Sequence, residues 1–408
     1  MEPASAWGPP SSAVTSEWLA SELEVGRVVE VEREERALFD QLAGAPDMPL
    51  VLFGAGNLGR RALRGLRGSG VEPLGFADNS AALQGTSVDG LRVFSPAEAV
   101  SAFGRQAAFV VTIWTPHPTR RLAFPSVSRQ IEGLEAGLLV VPFVPLFWKH
   151  AEEFLPYTFL DLPHRIYEDA DAVRAAYGLL ADPLSRAEYL LQLSYLLSTM
   201  DSMEVPSPAQ DDWYFPRDLF TLREDETFVD CGAYDGDTLT CFLDACGDRF
   251  GEIVAFEPDP DAFPRLEKRA RDLPPTHLDR VRIVRKAVGA SNGQLRFESD
   301  GSPGAHLSDG GQTVVECVTL DDALAGMRPT FIKMDIEGAE DGALDGAERT
   351  IREMRPILAV CVYHRQSDFY RLPAKIHEMC PDYSLFLRRQ AGDGDLVCFA
   401  IPNERVLT

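Results

Sequence analysis

Twice in this chain a short apolar run ends in a glycine-rich loop that passes directly into a helix. Leu50–Phe53 leads into Gly54-x-Gly56-x-x-Gly59, and Phe228-Val-Asp230-Cys leads into Gly232-Ala-Tyr234-Asp235-Gly236-Asp237-Thr238. A strand, a tight turn and a helix in that order build the first crossover of an open α/β sheet, whose ligands sit outside the carboxyl ends of the strands. Two such starts in 408 residues fit two domains, since a single core stops growing near roughly 250–300 residues. The pattern divides the chain into an N-terminal helical extension (1–47), a Rossmann-like module (48–150), a helical linker (151–213) and a second α/β domain (214–408). A helix is expected over 17–41, and strands over 49–53, 71–78, 108–114 and 138–144 in the first module. The second domain alternates strand and helix from Thr227 and closes on a hairpin, 383–389 with 396–401. Such a hairpin adds an antiparallel strand to a mostly parallel sheet.

The two loops differ in charge. The first carries Arg60 and Arg61 on its helix and no acid, and Asp78 ends the next strand. That is the dinucleotide fingerprint in its expected context, so a nucleotide or nucleotide-sugar at Gly54, Gly56, Gly59 and Asp78 is one reading. An empty scaffold whose glycines serve only the turn is the other. The second loop crowds Asp230, Asp235 and Asp237 where a pyrophosphate would need N–H donors alone. A ligand with a cationic end suits it better, and S-adenosylmethionine has an ammonium, a sulfonium and no phosphate. Glu257, at the tip of the next strand in Phe256-Glu257-Pro258, is placed to accept ribose hydroxyls. Helix capping by Asp235 and Asp237 and a solvated Glu257 are the plain alternatives.

Composition narrows the partners. With 39 Lys+Arg against 63 Asp+Glu the formal charge is -24, which repels nucleic acid and anionic membranes. The longest apolar run, 137–148, is about 12 residues and holds Pro142 and Pro145, where a membrane span needs roughly 20. The start of the chain has no secretory signal pattern. Of seven cysteines, Cys231, Cys317, Cys361 and Cys398 lie in apolar strand-like runs and no CxxC occurs. They read as buried thiols in a reducing, cytoplasmic setting. A homo-oligomer is left open.

Six motifs in order carry a resemblance. They are Tyr214-Phe-Pro followed by the 228–238 loop, Phe256-Glu-Pro, Lys286-Ala-Val-Gly289, Thr319-Leu-Asp-Asp, Phe331-Ile-Lys-Met-Asp-Ile-Glu-Gly-Ala-Glu340, and Val362-Tyr-His364. From about Tyr214 to Pro402 the chain resembles the FkbM family of S-adenosylmethionine-dependent methyltransferases. The resemblance implies a class I methyltransferase-type seven-stranded sheet and O-methylation of a sugar, glycan or glycosylated or polyketide natural product. It implies a cofactor site at Asp230, Gly232, Tyr234, Asp235, Gly236, Thr238, Glu257, Pro258 and Asp335, with Lys286, Ala287 and Val288 beside the adenine. The N-terminal module looks like the small Rossmann-like modules of some sugar-modifying enzymes.

Residues that end strands are the candidates for chemistry. Asp335 and Glu337 end one strand, and His364 ends the next. His364 suits a general base, with an unperturbed pKa near 6.5. A structural histidine is its alternative. Asp335 suits acceptor binding, base or metal ligation, or else caps a helix. Glu337 and Glu340 also fit simple dipole stabilisation. Lys333 pairs with an acid or touches the acceptor. A divalent metal such as magnesium, held by Asp335, Glu337 and Asp235, is compatible with the spacing but not required by it. The 299–312 loop, with His306, reads as a lid or a surface hairpin. Two rival functions stand beside methyl transfer: an NAD(P)-dependent oxidoreductase through the Gly54–Gly59 loop, and a non-catalytic nucleotide and S-adenosylmethionine binder.

Overall fold

The computed structural model describes residues 15–23, 26–113, 123–199, 213–247, 249–298, 306–307, 311–390 and 395–407. The chain forms two compact units. One comprises Met1–Asp171, Leu190–Pro206 and Gly392–Gly394; the other comprises Ala172–Tyr189, Ser207–Ala391 and Asp395–Thr408. The helical stretch expected to link them is therefore divided between them. Its part 172–189 is tied into the second unit: Ser185 Oγ accepts the Leu387 N–H at 2.9 Å and Asp182 pairs with Arg388 at 2.7 Å.

In the first unit, β1 (Leu50–Phe53), β2 (Gly75–Ala77), β3 (Ser87–Val88), β4 (Leu91–Phe94), β5 (Ala108–Val111) and β6 (Leu139–Pro142) form one sheet in the order β3-β4-β2-β1-β5-β6. All pairings are parallel except the β3–β4 hairpin. The strands read as continuous apolar runs because both faces are covered. Leu50, Leu52 and Val110 enter one core cluster, and Val51, Phe53, Phe109 and Val111 enter the other. That is the period-two alternation of a strand.

Several boundaries depart from expectation. The helix expected over 17–41 is two helices, Ser16–Glu22 and Val28–Ala43, with Gly26 between them at φ +107. β2 is shorter than 71–78, and β4 was hidden because Leu91 and Val93 alternate with an exposed Arg92. The last apolar run stops as a strand at Pro142 and continues as the buried helix Phe143–Lys149, where Pro145 lies in the first turn and breaks no intrahelical bond. Trp114 lies outside the described residues.

In the second unit the strands are β7 (Thr227–Cys231), β8 (Glu252–Phe256), β9 (Val281–Val284), β10 (Ala287–Val288), β11 (Gly293–Glu298), β12 (His306–Leu307), β13 (Thr313–Val318), β14 (Phe331–Met334), β15 (Ile357–Cys361), β16 (Tyr383–Arg389) and β17 (Leu396–Pro402). Seven of them form the sheet β16-β17-β15-β14-β7-β8-β9, with β17 antiparallel to both neighbours. The sheet is thus the expected class I methyltransferase type. β10-β13-β11-β12 make a separate sheet, because the chain turns at Arg285–Lys286 instead of continuing β9. Beneath the β7 and β14 ends, Phe215, Phe228, Phe242 and Phe331 pack together, with the Phe228 and Phe242 rings stacked at 4.5 Å. No helix among the described residues is long and apolar enough to cross a membrane.

Candidate active site at the β7–β14 switch point

Strand order reverses direction between β7 and β14. β7 connects to β8 on one side, while β14 follows on the other. The crevice at such a point is where α/β sheets take ligands. Met334 lies level with Cys231, so Asp335 meets Gly232 across the gap. Gly232 has φ +82, and a Cβ there would lie 1.8 Å from the Asp335 carbonyl oxygen. Only glycine allows the two strand ends to approach so closely.

The loop after β7 is tied down from two sides. Glu257 is buried at the end of β8; its Oε2 accepts the Tyr234 N–H at 2.8 Å and its Oε1 accepts the Asp259 N–H at 2.7 Å. Burial raises the Glu257 pKa to about 7, against the opposing pull of those two N–H donors. Tyr234 sits at φ +47, a strained backbone for a non-glycine residue, and its ring carries Arg265 at 4.9 Å. From below, the fully buried Lys333 donates to the Gly232 carbonyl at 2.6 Å and pairs with Asp230 at 3.0 Å. Burial alone would lower the Lys333 pKa; Asp230, Asp335 and Asp237 outweigh it and keep the ammonium charged. Of the alternatives for Lys333, the structure shows the acid pair.

The remaining loop residues serve the helix that follows. Gly236 holds φ +87 before the helix Asp237–Cys246, and Thr238 is buried on it. Asp235 turns to Arg269, at 3.2 Å. Asp235 is thus not part of the carboxylate cluster expected with Asp335 and Glu337. Pro258 follows Glu257 and is half-buried. Ala287 and Val288 are buried in β10, while Lys286 pairs with Glu316 at 2.9 Å. Of the 299–312 loop, 306–307 and 311–312 are described, and His306 pairs its backbone with Glu298. The rest of that expectation lies outside the described residues.

The acid–base cluster comes from β14 and β15. His364 Nε2 lies 3.2 Å from Asp335 Oδ1 and 3.6 Å from Glu337 Oε1, and Nδ1 lies 2.9 Å from Glu340 Oε1. Asp335 is further held by the Tyr214 hydroxyl, which donates to Oδ2 at 2.7 Å, and by the Tyr363 hydroxyl, which donates to Oδ1 at 3.3 Å. Burial opposes charge on His364, but Glu340, Asp335 and Glu337 together push its pKa well above the usual range. Burial likewise opposes charge on Asp335, and His364 and Lys333 reverse that, holding the carboxyl well below the ordinary range. Glu337 has φ +55, a second strained residue at the same edge. Asp368, buried near Glu340, is pushed up to about 7 by burial and by that neighbouring acid.

Tyr214, Glu340 and Asp368 carry more of this geometry than their spacing suggested. The one signal was that a tyrosine precedes β7 and that acids recur at 335, 337, 340 and 368. In the first unit, Asp78 Oδ2 accepts the Ala55 N–H at 2.8 Å and Oδ1 accepts the Ser80 N–H at 2.7 Å. Gly59 packs so tightly that a Cβ would lie 1.9 Å from the Gly54 carbonyl oxygen. Gly56 caps the helix from extended backbone.

The sheet order, the acid at the end of β8 and the cluster at the β14 edge define a methyltransferase-type α/β unit. Residues 230–390 match the family model described as the methyltransferase FkbM domain. A hexuronic acid methyltransferase, AglP, from Haloferax volcanii is 26% identical over 146 residues, covering 34% of this chain and 57% of that protein. The chain thus spans little more than half the length of this curated relative. A crystal structure of a methyltransferase FkbM from Methylobacillus flagellatus KT superposes with a TM-score of 0.73 at 22% identity, over 96% of this chain and all of that one. This second likeness is one of fold, and it extends through both units.

Proposed function

We propose that the protein is an S-adenosylmethionine-dependent O-methyltransferase whose acceptor is a hydroxyl of a sugar, a glycan or a glycosylated natural product. The observation that carries this reading is that one sheet edge presents, on the two sides of the β7 loop, a loop-locking carboxylate after β8 (Glu257) and the Asp335–Glu337–His364 cluster after β14 and β15. The match to the FkbM domain supports the reaction class, and the hexuronic acid in the name of the Haloferax relative supports a sugar. In the reaction the acceptor oxygen attacks the methyl carbon, the carbon–sulfur bond breaks with its electron pair on sulfur, and S-adenosylhomocysteine leaves. Alignment of the three atoms supplies much of the rate. Removal of the hydroxyl proton typically adds 10²–10⁴-fold.

Asp335 and His364 take the acid–base roles. A base function for Nε2 requires that nitrogen to be unprotonated when the acceptor binds, against the pull of the three facing carboxylates, which favour the charged ring. Glu257 takes the ribose. Gly232, Tyr234, Gly236 and Thr238 shape the cofactor loop, and Ala287 and Val288 flank the adenine. Gly54, Gly56, Gly59 and Asp78 take a nucleotide or nucleotide-sugar part of the acceptor. A cytoplasmic setting accords with seven free cysteines, five of them buried.

Calorimetric titration with S-adenosylmethionine, S-adenosylhomocysteine, NADH and UDP-sugars tests this. Binding of both adenosyl ligands that disappears in Glu257→Ala is expected, as is a 14 Da mass gain on a sugar acceptor. NADH binding alone would sink the proposal in favour of an oxidoreductase centred on Gly54–Gly59. Adenosyl binding without turnover on any sugar hydroxyl would leave only a binder.

A further inference from the structure

We propose that Asp335, Glu337 and His364 bind one divalent metal ion of the manganese or magnesium class, which presents the acceptor oxygen to the methyl donor. The proposal rests on the methyltransferase reading for the ion's role, though not for its binding, and it replaces the base role of His364, because a ligating Nε2 has no lone pair left to take a proton. One ligand atom from each of the three residues lies within 4.8 Å of the others. The spacing within the set is informative. Nε2 stands 3.2 Å from Asp335 Oδ1 and 3.6 Å from Glu337 Oε1. Charge-assisted N–H···O contacts close to about 2.7–2.9 Å. Cis ligands of an octahedral ion with bonds of about 2.1 Å lie about 3.0 Å apart. The Nε2–Glu337 distance is too long for a direct hydrogen bond, and both distances are compatible with two ligands of one cation.

His364 itself provides an independent observation. It is only 8% exposed, yet among the described residues neither ring nitrogen has an oxygen in the direction a hydrogen bond needs. A buried imidazole in that state lacks the partner its polarity demands. Nε2 faces the two carboxylates, where an ion would give it one.

The surroundings are those of oriented metal ligands. The Glu340 carboxylate lies 2.9 Å from Nδ1 but off the direction of a hydrogen bond, so a small turn of the ring is needed before Glu340 fixes it as a carboxylate fixes a ligating histidine. Tyr214 occupies Asp335 Oδ2 at 2.7 Å, while Oδ1 accepts the Tyr363 hydroxyl at the longer distance of 3.3 Å and faces Nε2. Charge points the same way. Asp335, Glu337 and Glu340 gather three negative charges on one imidazole, and the nearest buried ammonium, Lys333, is committed to Asp230 and the Gly232 carbonyl. A mixed oxygen and imidazole set with open positions favours a first-row divalent ion with six ligands.

The test is titration of the chelator-treated, full-length protein with MnCl₂ alone, followed by electron paramagnetic resonance of free Mn²⁺, with S-adenosylhomocysteine titrated on the same samples. One saturable Mn²⁺ site is expected, weakened at least tenfold in both Glu337→Gln and His364→Ala, and about 10–100-fold in Glu340→Gln. Absence of a saturable site, or Mn²⁺ affinity unchanged in Glu337→Gln, overturns the proposal. Should His364→Ala fail to fold, Glu337→Gln decides, since that side chain is 30% exposed. S-adenosylhomocysteine binding without a Mn²⁺ site removes the metal and leaves the methyltransferase reading. A Mn²⁺ site without adenosyl binding removes that reading instead.

Discussion

If Glu257 holds the ribose, adenosyl affinity must follow its titration. Both carboxylate oxygens already accept backbone N–H groups, from Tyr234 and Asp259. Ribose hydroxyls would add to an acceptor that works fully only when ionised. The pKa is raised to about 7 by burial, so ionisation falls within the working range. With binding proportional to the ionised fraction, affinity for S-adenosylhomocysteine weakens roughly tenfold from pH 8 to pH 6, about 1.4 kcal/mol, and little above pH 8. The sign for folding is opposite. An acid whose pKa rises from 4.5 to about 7 on folding stabilises the fold below pH 4.5, and that contribution is lost as pH climbs through 7. The free protein is therefore less stable at pH 8 than at pH 5 by up to about 3 kcal/mol from this group, while the bound protein recovers part of it. The assay is calorimetry from pH 5.5 to 8.5 on wild type and Glu257→Gln; comparison with the variant separates Glu257 from the ligand's own amine. Glu257→Gln is expected to lose at least tenfold at pH 8 and to flatten the profile. A wild-type profile that is flat across pH 7, or one that Glu257→Gln reproduces, would refute the reasoning.

Gly232→Ala adds a Cβ 1.8 Å from the Asp335 carbonyl at a φ of +82, so the β7 and β14 ends must separate. Loss of adenosyl binding and a lowered Tm are expected, and a crystal structure with both strand ends unmoved would contradict this. Lys333→Met removes the cation of a fully buried pair and strands Asp230 without charge compensation. A loss of about 3–5 kcal/mol in denaturant unfolding is expected. A loss under 1 kcal/mol would mean that Asp230 is solvated or protonated in the folded protein.

How far the sequence reached depended on range. The strand–loop–helix units were legible because glycine, an apolar run and a helix start are local signals, and β7 with its loop falls where the pattern placed it. Strand breaks were less legible. Nothing local in 281–287 shows that Arg285 and Lys286 leave one sheet for another, since partner choice is a tertiary matter. The cluster was legible in part. Asp335, Glu337 and His364 follow from the rule that strand ends carry ligands. The rule does not say that His364 would face three carboxylates, nor that Asp235 would leave for Arg269. Those outcomes depend on rotamers and on helix placement after each strand.

The two units solve one problem in the same way and then diverge. In each, the acid that ends the second strand locks the first glycine loop. Asp78 takes Ala55 N–H at 2.8 Å and Ser80 N–H at 2.7 Å; Glu257 takes Tyr234 N–H at 2.8 Å and Asp259 N–H at 2.7 Å. The acid and the loop residue are 23 positions apart in both. Such a lock is a property of the fold, and by itself it selects no ligand. The difference lies in the strand on the far side of the switch point. β5 is followed by Thr112, whose buried hydroxyl donates back to the Phe53 and Gly54 carbonyls, at 3.1 and 2.9 Å, and so serves only the loop. β14 is followed by Asp335, whose carbonyl closes on Gly232 while its carboxylate turns out to His364 and Tyr214. The two strand-end sites thus differ less in their glycine loops than in what stands one strand away. A threonine there ties back to its own loop, whereas a carboxylate there faces a histidine and a tyrosine.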